Sequence, residues 1–187
     1  MIQKELLQVD RMSDAEVLTS STVQHPTFLY VGAAKSGSSW MYAVLREHPE
    51  VYVPAAKEIY FFNRHYERGF DWYLSFFKKV NGEKASGEVS HEYFLSESYA
   101  HRIHAHLPDA KIIFCLREGV ERTFSAYLYD RTIFEHVGPK EFQRGLTFEA
   151  YATLPHIIKL SDYYRNMRPF FLLFPRDNIL VLFYDDL

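Results

Sequence analysis

The 187-residue sequence has one cysteine, Cys115, so no intramolecular disulfide framework is open to it. That excludes a small disulfide-stapled secreted scaffold and makes a reducing compartment, the cytoplasm, the expected location. It also lacks an excess of basic charge: 21 Lys and Arg stand against 24 Asp and Glu, a formal net charge of −3. A strongly cationic nucleic-acid binder is thereby excluded, and no nucleic-acid partner is expected. Apolar runs are short, such as Phe28 to Val31 and Phe170 to Phe174, against the roughly 20 residues that cross a bilayer. No membrane span is expected, and charges scattered from Lys4 to Glu16 leave no apolar stretch of signal-peptide length. No period repeats, and no stretch is rich enough in Gly, Ser or Pro to mark an internal linker.

What is present is 48% apolar and 17% aromatic residues, ample for one core. Residues 1–26 are polar, close on Pro26 and read as a lead-in, leaving 27–187 as one domain. Within it, Thr27 to Val31, Lys84 to Val89, Lys111 to Leu116 and Ile179 to Tyr184 read as buried strands. Helices are expected from Ser39 to the Pro49 stop, over Phe70 to Val80, Ser96 to Leu107 and Val120 to Ile133, near Phe148, and over Ile157 to Phe174. Continuous apolar strands alternating with helices predict an α/β fold of three layers, a parallel sheet covered on both faces. Ligands of such sheets bind beyond the carboxyl ends of the strands, so the loops there carry the functional argument.

The first such loop runs from Gly32 to Ser39, with the glycine spacing GxxxxG of a phosphate-binding loop. Small residues let backbone N–H groups turn inward, and the following helix N-terminus favours an anion. Ser38 stands where a nucleotide hydrolase would carry lysine; the loop's lysine is Lys35. The second loop follows Lys111–Leu116. There Arg117 can fork onto a phosphate, and Ser125, two turns into the next helix, can share it.

Together these two segments resemble the sulfotransferases that use 3′-phosphoadenosine 5′-phosphosulfate (PAPS). Lys35-Ser36-Gly37-Ser38-Ser39-Trp40 resembles their 5′-phosphosulfate loop. Arg117, with Ser125 eight residues on and Tyr127 after it, resembles their 3′-phosphate motif. The stretch from Phe148 through Phe174-Pro175 to Tyr184-Asp185-Asp186-Leu187 is also similar to the family, so the likeness covers about 27–187. It implies a P-loop nucleoside-triphosphate-hydrolase-like fold and sulfuryl transfer from PAPS to a hydroxyl or amine, with 3′,5′-bisphosphoadenosine (PAP) as product and no metal required. It further implies cofactor contacts from Lys35, Ser36, Gly37, Ser38, Ser39, Arg117 and Ser125. Family members continue past the last strand, so the usual C-terminal part is expected to be missing from this sequence.

Sulfuryl transfer needs a base for the acceptor and a cation for the leaving group. Lys35 is the expected cation. Two residues are candidates for the base. Glu58 lies in Lys57-Glu58 followed by Phe61-Phe62, which resembles the Golgi-type and bacterial branch where a glutamate is the proposed base. His91 follows a predicted strand, and a histidine serves in the cytosolic small-molecule branch. Glutamate starts near pKa 4.3 and would need a raising influence, whereas histidine starts near 6.5. Glycosaminoglycan-type relatives commonly carry lysine two residues after the strand-end glycine, where this chain has Val89 after Gly87-Glu88, so no substrate class is inherited. The acceptor class stays open among a small molecule, a glycan and a lipid, as does the oligomeric state.

His101, His104 and His106 read as a solvated helix face, Cys115 as a buried hydrophobe, and the aromatics from Tyr60 to Phe77 as core or as lining of an acceptor cavity. Two other functions compete with transfer: a P-loop kinase or nucleotide hydrolase, and a non-catalytic module that binds PAP or another nucleotide.

Overall fold

The computed structural model describes residues 25–134 and 145–187. Five parallel strands form one sheet: β1 (Phe28–Gly32), β2 (Val51–Tyr52), β3 (Ala85–Val89), β4 (Lys111–Leu116) and β5 (Ile179–Phe183), in the order β2-β3-β1-β4-β5. Helices α1 (Ser38–Glu47), α2 (Phe61–Arg64), α3 (Phe70–Leu74), α4 (Glu97–His106), α5 (Gly119–Phe134), α6 (Phe148–Ala152), α7 (Pro155–Ser161) and α8 (Tyr163–Leu173) connect or cover them. The expected α/β sheet is therefore observed. Most of the polar lead-in, residues 1–24, lies outside the described residues, as does the polar stretch at 135–144.

Side chains of β1 alternate across the sheet, as the period of a strand requires. Leu29 and Val31 enter the larger core with Phe61, Tyr73, Phe94, Phe114 and Phe170, while Phe28 and Tyr30 enter a smaller one with Met41, Tyr42 and Cys115 beneath α1. Truncating Phe114, fully buried at the sheet centre, would cost about 3–5 kcal/mol. The aromatics Phe61 to Phe77 are core or pack against it, with Phe61 stacked on Tyr73 at 4.9 Å, whereas the Tyr60 hydroxyl donates to Glu58.

Several boundaries differ from expectation for identifiable reasons. The helix expected over Phe70 to Val80 ends at Leu74 and tightens into a 3₁₀ turn over Ser75–Phe77. The helix expected over Ile157 to Phe174 is broken at Asp162, whose carboxylate caps α8 by accepting from the Arg165 N–H. Pro169 nevertheless stays inside α8. Only His101 of the three helix histidines faces solvent; His106 stacks on Phe70 at 4.3 Å and shares a 3.0 Å hydrogen bond with the Tyr66 hydroxyl, and His104 meets the edge of Phe174. Among the described residues no group of three His, Cys, Asp or Glu could hold a metal.

Because all strands are parallel, the loops after β1, β3 and β4 emerge at one end of the sheet. β1 lies between β3 and β4, so its loop stands between the other two.

Candidate active site

The loop after β1 leaves the sheet at Gly32, where an added Cβ would fall 2.4 Å from the Phe94 ring. Ala33 N–H then donates to the Cys115 carbonyl, tying the loop to β4. Lys35 and Gly37 both adopt left-handed backbone, φ 64° and 87°. This turn delivers Ser38 and Ser39 to the first turn of α1, where no side chain caps the helix and no acidic residue stands. The unsatisfied N–H groups of that turn are a ready anion site. Ser36 is fully buried beside Tyr163, and its hydroxyl has no well-formed hydrogen bond among the described residues.

Lys35 extends its ammonium over the Tyr129 ring, 3.9 Å from the centroid, and meets no carboxylate at salt-bridge distance among the described residues. Burial lowers its pKa; Asp130 opposes this, Lys57 and Arg117 reinforce it, and Glu58 opposes it more weakly. Three cations thus converge on one small region, the electrostatic setting a polyanionic ligand would relieve.

The loop after β2 brings Lys57 and Glu58 to the same place. Lys57 Nζ donates to Ser39 Oγ at 3.0 Å and pairs with Glu58 Oε1 at 3.0 Å, so it joins α1 to the candidate base. Glu58 Oε1 also lies 2.8 Å from His91 Nδ1, and Oε2 accepts from the Tyr60 hydroxyl at 2.7 Å. The two bases expected as alternatives are therefore one hydrogen-bonded pair. Sequence offered no signal for this, since the partners lie 33 positions apart and meet only because β3 carries His91 back to the end of β1.

The electrostatics of Glu58 correct the expectation for it. Burial by itself would raise its pKa, but the hydrogen bond and charge of His91, the Lys57 ammonium and the Tyr60 hydroxyl outweigh burial and hold the carboxyl well below the usual carboxylate range. An ionised carboxylate only accepts, so the shared proton belongs to His91 Nδ1. No hydrogen bond to His91 Nε2 is seen among the described residues; in the neutral ring with its proton on Nδ1, that nitrogen carries the lone pair.

Arg117 and Ser125 follow β4 as expected, Arg117 one residue past the strand and Ser125 half-buried on α5. The Arg117 guanidinium reaches Glu121 Oε2 at 3.3 Å and covers the Tyr184 ring at 4.4 Å. Its carbonyl accepts from the Tyr163 hydroxyl at 2.7 Å, and Tyr184 in turn packs where a Cβ on Gly37 would be. Tyr163 and Tyr184 thus bridge the two loops, a role no spacing in the sequence announced. Tyr127 is buried against Phe148 and Tyr151 and donates to the Leu146 carbonyl, a packing role.

The three non-glycine residues with positive φ among the described residues are Lys35, Glu58 and Tyr60. Each such conformation costs of order 1–3 kcal/mol and persists where surrounding contacts impose it, typically at functional sites.

Comparison with known proteins agrees with this geometry. The chain is 36% identical over 123 residues to human heparan sulfate glucosamine 3-O-sulfotransferase 6, covering 66% of this chain and 35% of that protein. It is 34% identical over 105 residues to the membrane-associated sulfotransferase kil1 of Dictyostelium discoideum, covering 54% and 22% respectively. The chain thus spans about a third or less of the length of these relatives. The crystal structure of a sulfotransferase from Alicyclobacillus acidocaldarius superposes with a TM-score of 0.73 at 27% identity, over 87% of this chain and 74% of that one. The sulfotransferase domain matches residues 25–187, which takes in both anion loops and the Glu58–His91 pair, and the chain belongs to the sulfotransferase family.

Proposed function

We propose that this protein transfers a sulfuryl group from PAPS to a hydroxyl or amine of an acceptor, a small molecule, glycan or lipid, and releases PAP. The observation that carries the reading is the convergence of Lys35, the uncapped α1 N-terminus and the His91–Glu58 pair at one end of the sheet. PAPS fits this setting because the loop offers a buried hydroxyl without a good partner at Ser36, open N–H donors and a cation resting on a ring. Bound there, PAPS supplies the sulfuryl group and a phosphate leaving group.

The chain's own residues do the rest. Ser36, Gly37, Ser38 and Ser39 bind the 5′ end, and Arg117 with Ser125 binds the 3′-phosphate. His91 Nε2 takes the acceptor proton while Glu58 fixes the ring's tautomer and stabilises the imidazolium that results. The acceptor oxygen or nitrogen bonds to sulfur as the bond from sulfur to the bridging oxygen breaks, and Lys35 neutralises charge gathering on that oxygen. The named relatives include heparan sulfate enzymes, which supports a glycan acceptor without excluding the other classes.

Calorimetric titration with PAP, beside ATP plus magnesium and an Arg117→Ala control, tests the reading. Micromolar PAP binding that weakens in the variant is expected. Binding of ATP with magnesium in preference to PAP would overturn it in favour of a kinase or hydrolase.

A further inference from the structure

The Glu58–Tyr60 turn is held from below by the end of β3. Glu58 N–H donates to the Val89 carbonyl at 3.1 Å, and Tyr60 N–H reaches Ser90 Oγ at 3.5 Å. Ser90 is fully buried and spends its own proton on Glu88 Oε2 at 3.1 Å, while the other oxygen of Glu88 accepts from the Tyr73 hydroxyl at 3.1 Å. Glu88 is itself buried, 1% exposed, with no cation paired to it among the described residues. The groups facing it are the hydroxyls of Tyr73 from α3, Tyr93 from the turn after β3, and Ser90.

These bonds have a direction. A hydroxyl has one proton; as long as Glu88 takes the proton of Ser90, a lone pair of Ser90 faces the Tyr60 N–H. If Glu88 is replaced by an amide whose NH₂ faces Ser90, Ser90 becomes an acceptor on that side, its proton turns away from residue 88 toward a neighbour such as the Tyr93 hydroxyl, and its lone pair is no longer fixed on Tyr60 N–H. Tyr60 and Glu58 are both in the left-handed region, φ 56° and 64°, so the turn depends on such imposed contacts.

We propose that Glu88 is a positioning residue: acting through Ser90, it fixes the strained Glu58–Tyr60 turn and so aims Glu58 at His91 Nδ1. This rests on the reading that His91 and Glu58 form the acid–base pair. Burial pushes the Glu88 carboxyl up to about 7, against the opposing pull of the facing hydroxyls of Tyr93, Ser90 and Tyr73, so its acceptor strength varies near neutral pH.

The test is ¹⁵N NMR of the histidine imidazoles in the full chain, with PAP titration of each protein alongside. In the wild type, His91 is expected with its proton on Nδ1. Glu88→Gln and Ser90→Ala are expected to convert it to a mixed tautomer, with PAP affinity held within about twofold. Tyr73→Phe, which removes the bond on the other side of Glu88, is expected to leave the tautomer as in the wild type. Ser90→Ala keeps the buried carboxyl and carries the test if Glu88→Gln does not fold. An unchanged His91 tautomer in folded Ser90→Ala would overturn the proposal. Loss of PAP binding in every protein, with the tautomer shifting as expected, would support the positioning role and instead overturn the sulfotransferase reading.

Discussion

The two anion loops lead into helices that begin in opposite ways. At α1 no side chain closes the first turn and no acid stands in it. At α5 the preceding Glu118 already accepts from the Glu121 N–H at 2.8 Å, and these backbone hydrogen bonds keep its carboxyl below the ordinary range. One helix leaves its first-turn backbone donors open; the other has its own satisfied by Glu118, which leaves the Arg117 side chain as the charged donor of the second loop. Their surroundings differ in the same sense. Around Glu58 both carboxylate oxygens are occupied, and the lysine, histidine and tyrosine that occupy them are largely shielded from solvent. Around Arg117 the only carboxylate contact described is a 3.3 Å pair with exposed Glu121. Glu58 and His91 are already paired in the structure, whereas Arg117 is held by an exposed contact that an anion can displace at small cost.

The sharpest way to break this contrast is Lys35→Ala. Among Lys35, Lys57 and Arg117 it is Lys35 that has no carboxylate at salt-bridge distance among the described residues, and its loss should reduce the rate of PAP release from PAPS by about 10²–10³-fold. A rate within threefold of wild type would remove Lys35 from the chemistry.

Stability against pH separates the buried side from the exposed one. The folded pKa of Glu58 lies below its unfolded value, so its contribution is full above about pH 4.5 and is lost as pH falls through the acid range. Glu88 runs the other way: raised from 4.5 to about 7, it contributes fully below pH 4.5 and loses that contribution as pH rises to 7. Denaturant midpoints should therefore decline for wild type between pH 4.5 and 7. Glu88→Gln should flatten that decline, by on the order of 3 kcal/mol at most.

Next in size, Arg117→Ala should weaken PAP binding by about 10- to 100-fold, the worth of one charged hydrogen bond. The smallest effect sharpens the comparison most. Glu121→Gln removes the competitor of the phosphate, so PAP should bind up to about fivefold more tightly, and less so at high salt. Weaker binding in that variant would mean that Glu121 orients Arg117 for its ligand.

Local signals made much of this legible in the sequence. The glycine frame around Lys35 and the apolar run Lys111–Leu116 need only neighbouring residues, and both are observed where expected. The two-residue β2 was not legible, because Val51–Tyr52 is a strand only through its pairing with Ala85 and Ser86. The union of Glu58 with His91 was likewise hidden, since it depends on β3 lying beside β1. The sign of the Glu58 shift follows from that union. From residue type alone a base near pKa 4.3 wants raising; once His91 and Lys57 sit on the same oxygen, the shift must go down.

The measurement that most directly tests the account is a double-mutant cycle on PAP release from PAPS with a panel of phenol, sugar and lipid hydroxyl acceptors, using His91→Ala, Glu58→Gln and the double variant. If His91 Nε2 takes the proton and Glu58 acts through it, His91→Ala should lose about 10²–10⁴-fold in kcat, and adding Glu58→Gln should lose less than about threefold more. A His91→Ala enzyme near wild type beside an inactive Glu58→Gln, or losses that simply multiply, would contradict it.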